Sequence, residues 1–439
     1  MSESLDHWLA RTYDYAARTM LHSVSRTELV KTRPGFDQTV RPVAGAIVAS
    51  PVIGAWDPDP DYFFHWYRDS AMVIDALRLL YESGDVGAEA LAHLADFVRF
   101  STSLQALDGR MLVTQSAWRS AVAADHRRFL RDDAELAAVH GDAVAADVRV
   151  NPDGTLDISR WSRPQYDGAP LRALALLRWT HAAAFDPGLA EDIATLIRAD
   201  LALTAHHWDA PGYDIWEEEQ GSHYYVLCVS AAALDAGADW LHGHGGESLA
   251  SVYRAQAAEI RYRLDAFWLQ DEGHYRSRIL PAGRSAKELD ISVVLAAIHA
   301  KRQGAHSPHD PRIHATLDRL DALFDAAYPI NRDRHATGRG PALGRYPGDR
   351  YYSGGAYYFS TLGAAELCYR AAAGADAARA WGARGDAYLA TVRAYTPASG
   401  ELSEQFDQAT GAQASARHLA WSYAALITCA AARRAAAAA

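Results

Sequence analysis

Twelve stretches carrying apolar residues at three- and four-residue spacing, separated by long loops, constrain this chain more than any other feature. They fall at roughly 5–24, 69–83, 86–107, 168–185, 188–208, 222–238, 246–269, 289–303, 309–327, 353–373, 375–394 and 415–434, and the spacing puts each apolar set on one helix face. Ser70 ahead of Met72, Val73, Ala76, Leu77 and Leu80 shows the pattern, as does Asp290 ahead of Val293, Val294, Ala297 and Ile298. Other stretches, such as Leu171 to Trp179, are apolar around much of their circumference, which suits an inner layer covered from outside. Even spacing of helices of both kinds predicts helical hairpins in a ring or solenoid; no residue-level tetratricopeptide or ankyrin signature is present. A closed double ring of alternating inner and outer helices has one core. It therefore accommodates 439 residues in a single domain, where length alone suggests about three. Residues 1–50 read as a helix and a strand-like lead-in packed on this toroid, and residues 51–439 as the toroid itself. The alanine-rich stretch from Ala430 to Ala439 reads as a fraying helix end.

Composition removes several functional classes. Hydrophobic residues at 49% and charged residues at 22% are ordinary for a globular protein and exclude disordered or collagen-like chains. A net charge of −11 argues against a nucleic-acid partner, because neutralising phosphates takes a basic face. Cys228, Cys368 and Cys429 form no CxxC pair and are odd in number, so a disulfide framework or zinc site is not expected. The segment from Met1 to His7 lacks a basic region followed by an apolar one, and no uncharged apolar run reaches membrane-spanning length. A soluble, cytoplasmic protein without a membrane partner is the expectation; the oligomeric state is open. The 12 Trp and 22 Tyr are the informative excess, since such rings build cores and also flat, hydrogen-bonding ligand walls.

Many of those rings fall in the loops at 51–68, 108–167, 209–221, 273–288, 328–352 and 395–414. Loops of this length in a compact domain usually carry function, and in a closed ring alternate loops meet at one end. The strongest local signal is Tyr213-Asp214-Ile215-Trp216-Glu217-Glu218-Glu219-Gln220-Gly221-Ser222. Its plain explanation is a solvated acidic run favoured by a helix dipole. A carboxyl packed on Trp is also a means of raising a pKa by desolvation, which a general acid needs. A second signal, Gly400-Glu401-Leu402-Ser403-Glu404-Gln405-Phe406-Asp407, sets Glu404 among polar neighbours able to keep it ionised, or is simply an exposed loop. In Phe64-His65-Trp66-Tyr67-Arg68-Asp69-Ser70, Asp69 either caps the following helix or joins Arg68 in binding a polar ligand stacked on Trp66. Arg163-Pro164-Gln165-Tyr166-Asp167-Gly168 and Arg345-Tyr346-Pro347-Gly348-Asp349-Arg350-Tyr351-Tyr352 add further Arg, Asp and aromatic groups. Two separate carboxylate sites, ring platforms and hydroxyl-gripping charges are what sugar recognition and glycoside cleavage require. His65, His206, His207, His223, His242 and His244 lack a metal-binding frame and read as core or surface histidines. A P-loop, a dinucleotide fingerprint and a serine nucleophile elbow are all missing.

These motifs resemble glycoside hydrolase family 15, the glucoamylases and their relatives, from about residue 50 to the C-terminus. The matching segments occur in family order: Pro60 to Ala71; Arg163 to Gly168; Ile215-Trp216-Glu217-Glu218 with Gly221-Ser222; Gly344-Arg345-Tyr346-Pro347 with Asp349, Tyr351 and Tyr352; and Leu402 to Asp407 with Ala416-Arg417 and Leu419 to Ala424. The resemblance implies an all-α (α/α)6 barrel with long active-site loops. It also implies an inverting exo-hydrolase that releases β-glucose from the non-reducing ends of α-glucosides, with no metal or organic cofactor. By the same resemblance Glu217 is the general acid, Glu404 the general base, and Glu218 a sugar ligand. Trp66, Arg68 and Asp69 hold the first sugar, Trp216 belongs to the same binding wall, and Arg345 contacts the same or the next sugar.

One departure bears on specificity. Ala145 to Gly154 stands where starch-acting members carry Gly-Leu-Gly-Glu-Pro-Lys-Phe, so Asp147 and Arg149 replace a glutamate and a lysine and should alter the subsite beyond the scissile bond. Short α-gluco-oligosaccharides are the expected substrate, leaning towards α-1,6 linkages and otherwise maltose-type. A trehalase-type hydrolase and a non-catalytic sugar-binding regulator on the same fold are the alternatives.

Overall fold

The computed structural model describes residues 3–54, 59–372 and 377–438. The first two residues of the helix expected over 375–394 therefore lie outside the described residues, as do 55–58 of the loop expected over 51–68 and Ala439 of the alanine-rich end. Twelve long helices dominate: α1 (Leu5–Leu21), α2 (Tyr67–Ser83), α3 (Glu89–Leu104), α4 (Gly168–Ala182), α5 (Pro187–His207), α6 (Tyr224–His242), α7 (Glu247–Leu264), α8 (Ser292–Ala300), α9 (Pro311–Ala327), α10 (Tyr358–Ala372), α11 (Ala378–Tyr395) and α12 (Ala420–Ala438).

Even-numbered helices form the inner ring. Each packs on the next, α2 on α4, then α6, α8, α10 and α12, and α12 returns to α2. The odd-numbered helices cover them from outside: α3 on α2, α5 on α4 and α6, α7 on α6, α9 on α8, and α11 on α10 and α12. Helix α1, from the first fifty residues, packs against α12 and α11. This is the (α/α)6 barrel.

Sequence pattern separates the two rings. In outer helix α9 the buried residues Ile313, Thr316, Leu317, Leu320 and Phe324 form one stripe, as an amphipathic surface helix requires. Its start is fixed by Asp310, whose carboxylate accepts from the Arg312 N–H, with Pro311 in the first turn. In α4 the residues from Gly168 to Leu177 are all buried, because outer helices cover one side and other inner helices the rest. Buried pairs tie the layers together: Arg172 of α4 grips Asp200 of α5 through two bonds of 2.8 and 2.7 Å, and the Trp179 indole donates to the Ile74 carbonyl of α2 at 3.0 Å.

Toward the C-terminal part of the inner ring the lumen is charged. Asp75 of α2 accepts from Arg78, from Arg178 of α4 and from Lys301 after α8, and Glu366 of α10 pairs with Arg370 and Thr428. A small cavity lies among these groups and reaches up to Trp421. Cations suit the C-terminal ends of helices, where the peptide dipoles leave partial negative charge.

The loops at the opposite end are pinned by very short antiparallel strands. His65–Trp66 pairs with Arg149–Val150. Gln220–His223 pairs with Gly212–Tyr213 and with Arg278–Ile279. Gln405–Phe406 lies between Ala356–Tyr357 and Gln413–Ala414. Each of these three sheets ends where an inner helix begins or a loop carboxylate projects.

Candidate active site

The turn between Gly212–Tyr213 and Gln220–His223 carries the acidic run. Buried Asp214 organises it, its carboxylate accepting from the N–H groups of Trp216 at 2.7 Å and Glu219 at 2.8 Å and pairing with Arg278 at 3.2 Å. Within this turn Glu217 adopts a left-handed backbone, φ 65°, a conformation that a non-glycine residue holds only when its surroundings impose it. Those surroundings are visible: the Glu217 N–H donates to the Asp214 carbonyl at 2.9 Å and the Glu217 carbonyl accepts from the Ser162 hydroxyl.

Both Glu217 carboxylate oxygens are held. Oε1 accepts from the Trp66 indole at 2.8 Å and from Arg68 Nη2 at 3.2 Å, and Oε2 accepts from the Trp161 indole. Arg68 also pairs with Asp69 at 3.2 Å and with Asp167 at 3.6 Å, and donates to Gln165. Helix α2 has no side-chain cap, so Asp69 is free of the capping role open to it on sequence grounds. One of its oxygens is buried with no hydrogen-bond partner. Burial pushes Asp69 up to about 6, with Arg68 opposing and Glu217 and Asp167 reinforcing.

Glu404 projects from the neighbouring three-stranded sheet, where its N–H donates to Ala416 and its carbonyl accepts from Tyr358. Its carboxylate accepts from the Ser415 hydroxyl and lies 3.5 Å from the Tyr62 hydroxyl, itself paired with Tyr351 at 2.7 Å. The sequence suggested polar neighbours that keep Glu404 ionised. Ser415 does lower its pKa, but burial dominates: the residue is 9% exposed and is pushed up to about 7.

Trp66, Arg68, Asp69, Trp216, Glu217, Arg345 and Glu404 all line one cavity. Ala49, Tyr62, Ile215, Phe359, Leu419 and Trp421 complete the wall. Trp216, Phe359 and Trp421 form a stack, with Phe359 and Trp421 4.3 Å apart and nearly parallel. The Trp216 indole is anchored on Asp290 at 2.9 Å. Glu218 is not among the lining residues. Its carboxylate is taken by the Tyr346 hydroxyl at 2.5 Å, Lys287 at 2.7 Å and Arg345 at 3.1 Å, while Arg345 makes two bonds of 2.7 Å to Asp349. Glu219 pairs with Arg278 and Ser285, so none of the three successive glutamates belongs to a freely solvated run.

Among the described residues no group of three or more His, Cys, Asp or Glu is placed to hold a metal ion, and no helix is long and apolar enough to cross a membrane. His65 is a buried acceptor for the Ile47 N–H. The three cysteines are free and buried. Asp147 and Arg149 are buried in an ion-pair network. Asp147 joins Arg131 and Arg163, while Arg149 joins Asp157 and lies over Trp161 at 3.7 Å and Trp66 at 4.7 Å.

Sequence reasoning did not single out Trp161, Tyr62 or Ser415. Trp161 stands two residues ahead of the Arg163 motif, and its place in an aromatic-rich loop was the available signal. Ser415 carries none, since its role arises from strand pairing.

The architecture has counterparts among known proteins. The family model for glycosyl hydrolases family 15 matches residues 36–110, 149–384 and 376–431. Glucoamylase 1 of Rhizopus oryzae is 28% identical over 427 residues, covering 84% of this chain and 64% of the relative. The chain thus spans less than two thirds of that relative's length. A probable glucoamylase of Schizosaccharomyces pombe is 26% identical, covering 97% of this chain and 91% of the relative. The solved glucoamylase of Saccharomycopsis fibuligera shares the fold with a TM-score of 0.80 at 21% identity, covering 99% of this chain and 96% of that one. The chain belongs to glycosyl hydrolase family 15.

Proposed function

We propose that this chain is an exo-acting, inverting α-glucoside hydrolase that releases β-glucose from the non-reducing ends of short α-gluco-oligosaccharides. One observation carries the reading: Glu217 and Glu404, from loops nearly two hundred residues apart, line one small cavity walled by indoles, two guanidiniums and a buried aspartate. Protonated Glu217 gives its proton to the glycosidic oxygen as the C1–O bond breaks. Glu404 takes a proton from water as that water's oxygen bonds C1 from the opposite face. The configuration at C1 inverts, and such a step needs its two carboxyls far enough apart to leave room for water between them. Glu217 and Glu218 are chain neighbours and are unsuited to opposite faces of one ring.

Trp66, Arg68 and Asp69 hold the terminal glucose, with the buried Asp69 oxygen that is ion-paired to Arg68 but makes no hydrogen bond accepting from a sugar hydroxyl. Trp216 supplies a ring face to the same subsite. Arg345 and Glu218, locked together, present a contact toward the next sugar. The segment around Asp147 and Arg149 packs behind Trp161; its departure from the starch-acting pattern is the ground for proposing α-1,6 over α-1,4 linkages. Three buried, unpaired thiols suit a reducing compartment such as the cytoplasm.

Glucose release from maltose, isomaltose, trehalose, nigerose, kojibiose and dextran, followed by proton NMR in early turnover, tests the reading. β-Glucose appearing first, with isomaltose preferred to maltose, is the expected result. α-Glucose first removes the inverting assignment, and no release from any of these substrates removes the hydrolase reading.

A further inference from the structure

A second, larger cleft opens beside the site and touches it through Trp161, whose indole bonds Glu217, and through Arg149, which lies over Trp66. One wall is the hairpin Lys31–Arg33 with Gln38–Val40, which the hydrolytic reading leaves without a role. The other is the 126–161 loop. The two are set tightly: a Cβ on Gly35 would lie 2.2 Å from the His126 ring, so glycine is what lets that ring close the end of the cleft.

The charge on its walls is unbalanced. Lys31 and Arg33 share one carboxylate, Asp61, at 3.7 and 2.6 Å. Arg149 has Asp157, which it divides with Arg163. The exposed Arg160 side chain has no hydrogen-bond or ion-pair partner among the described residues. Lys31, Arg33 and Arg149 are buried and also donate to the Gly54 and Phe63 carbonyls, Asn151 and Ser159; together with Arg160 they set four positive charges against Asp61 and Asp157, a surplus of two in a chain whose net charge is −11. Beside them stands Phe129, 46% exposed, with Phe36 and Trp161 further along the wall.

We infer that this cleft binds a phosphorylated monosaccharide. A phosphate monoester carries about two negative charges at neutral pH, which matches the surplus. The free Arg160 guanidinium can bind its oxygens by paired, charge-assisted bonds, the buried cations add their field, and the exposed ring gives the sugar an apolar face to lie on. Neither sugar nor phosphate alone uses both features. The inference stands apart from the hydrolytic reading, since it concerns other residues and needs no turnover.

Isothermal titration of the full chain with glucose 6-phosphate, glucose and inorganic phosphate tests it. Glucose 6-phosphate is expected to bind about tenfold or more tightly than phosphate. Arg160→Ala should weaken it by a similar factor with an unchanged unfolding midpoint, Arg160→Lys should restore part of the loss, and Asp69→Asn in the sugar pocket should leave it intact. Absence of heat at about 10 mM ligand, phosphate binding as tightly as the sugar phosphate, an unaltered Arg160→Ala titration, or loss of binding in Asp69→Asn each overturns the proposal.

Discussion

At the scale of single residues, Glu217 and Glu404 sit in unlike environments. Glu217 is gripped by three N–H donors and a strained turn; Glu404 has two hydroxyls and a dry wall. Glu217→Gln and Glu404→Gln are each expected to lower kcat by about a hundredfold or more while circular dichroism stays unchanged, and full activity in either variant would remove its role. A base must be ionised to act, so kcat/KM should rise with pH on the acid side through about 7, the value burial gives Glu404. Because the Ser415 hydroxyl opposes that rise, Ser415→Ala should move the limb to higher pH. A limb that stays in place would show that another group controls it.

The same burial has a cost to the fold. Between its ordinary 4.5 and about 7, Glu404 keeps in the folded chain a proton that the unfolded chain has released. Its contribution to stability is complete below about 4.5 and is lost as pH rises through about 7, about 3 kcal/mol in all. Glu404→Gln mimics the protonated carboxyl at every pH. Its unfolding midpoint should therefore gain on the parent's as pH goes from about 5 to about 8, and a constant difference would contradict the cause assigned here.

At the scale of elements, the helices were legible in the sequence and the loop contacts were not. The Ile313, Leu317, Leu320 and Phe324 stripe and the Asp310-Pro311 start mark α9 without help from the rest of the chain. Boundaries moved where tertiary contacts decide them: the stretch expected from 353 begins its helix only at Tyr358, because Ala356–Tyr357 is taken by strand pairing with Gln405–Phe406. The carboxylates of the site were legible because acidic residues among aromatics are chemically conspicuous. Their partners Trp161 and Ser415 come from loops 56 and 11 residues away, and only folding makes them neighbours. Layer-to-layer pairs belong to the same class. Removing the guanidinium in Arg172→Ala leaves Asp200 buried and alone, at a cost of about 3–5 kcal/mol. Arg172→Met with Asp200→Leu should recover most of it in denaturant titrations. A single variant as stable as the parent would mean that solvent reaches Asp200 in the folded chain.

At the scale of the whole molecule, the barrel converts loops scattered along the chain into one site by bringing alternate loops to a single end. The inner ring is continuous, and beneath the candidate pocket the Trp216, Phe359 and Trp421 stack lies between it and the charged lumen below. The pocket is thus a cul-de-sac. A glucose cut off at its blind end can leave only by the mouth, which the remainder of the chain still fills, so that remainder must depart first. Each cut ends an encounter, and the enzyme proposed here should trim chains one unit per visit. Early digests of an end-labelled maltoheptaose or isomaltoheptaose should show the chain one unit shorter accumulating in step with glucose. Shorter chains arising while most starting material is untouched would mean that the polymer slides inward without letting go.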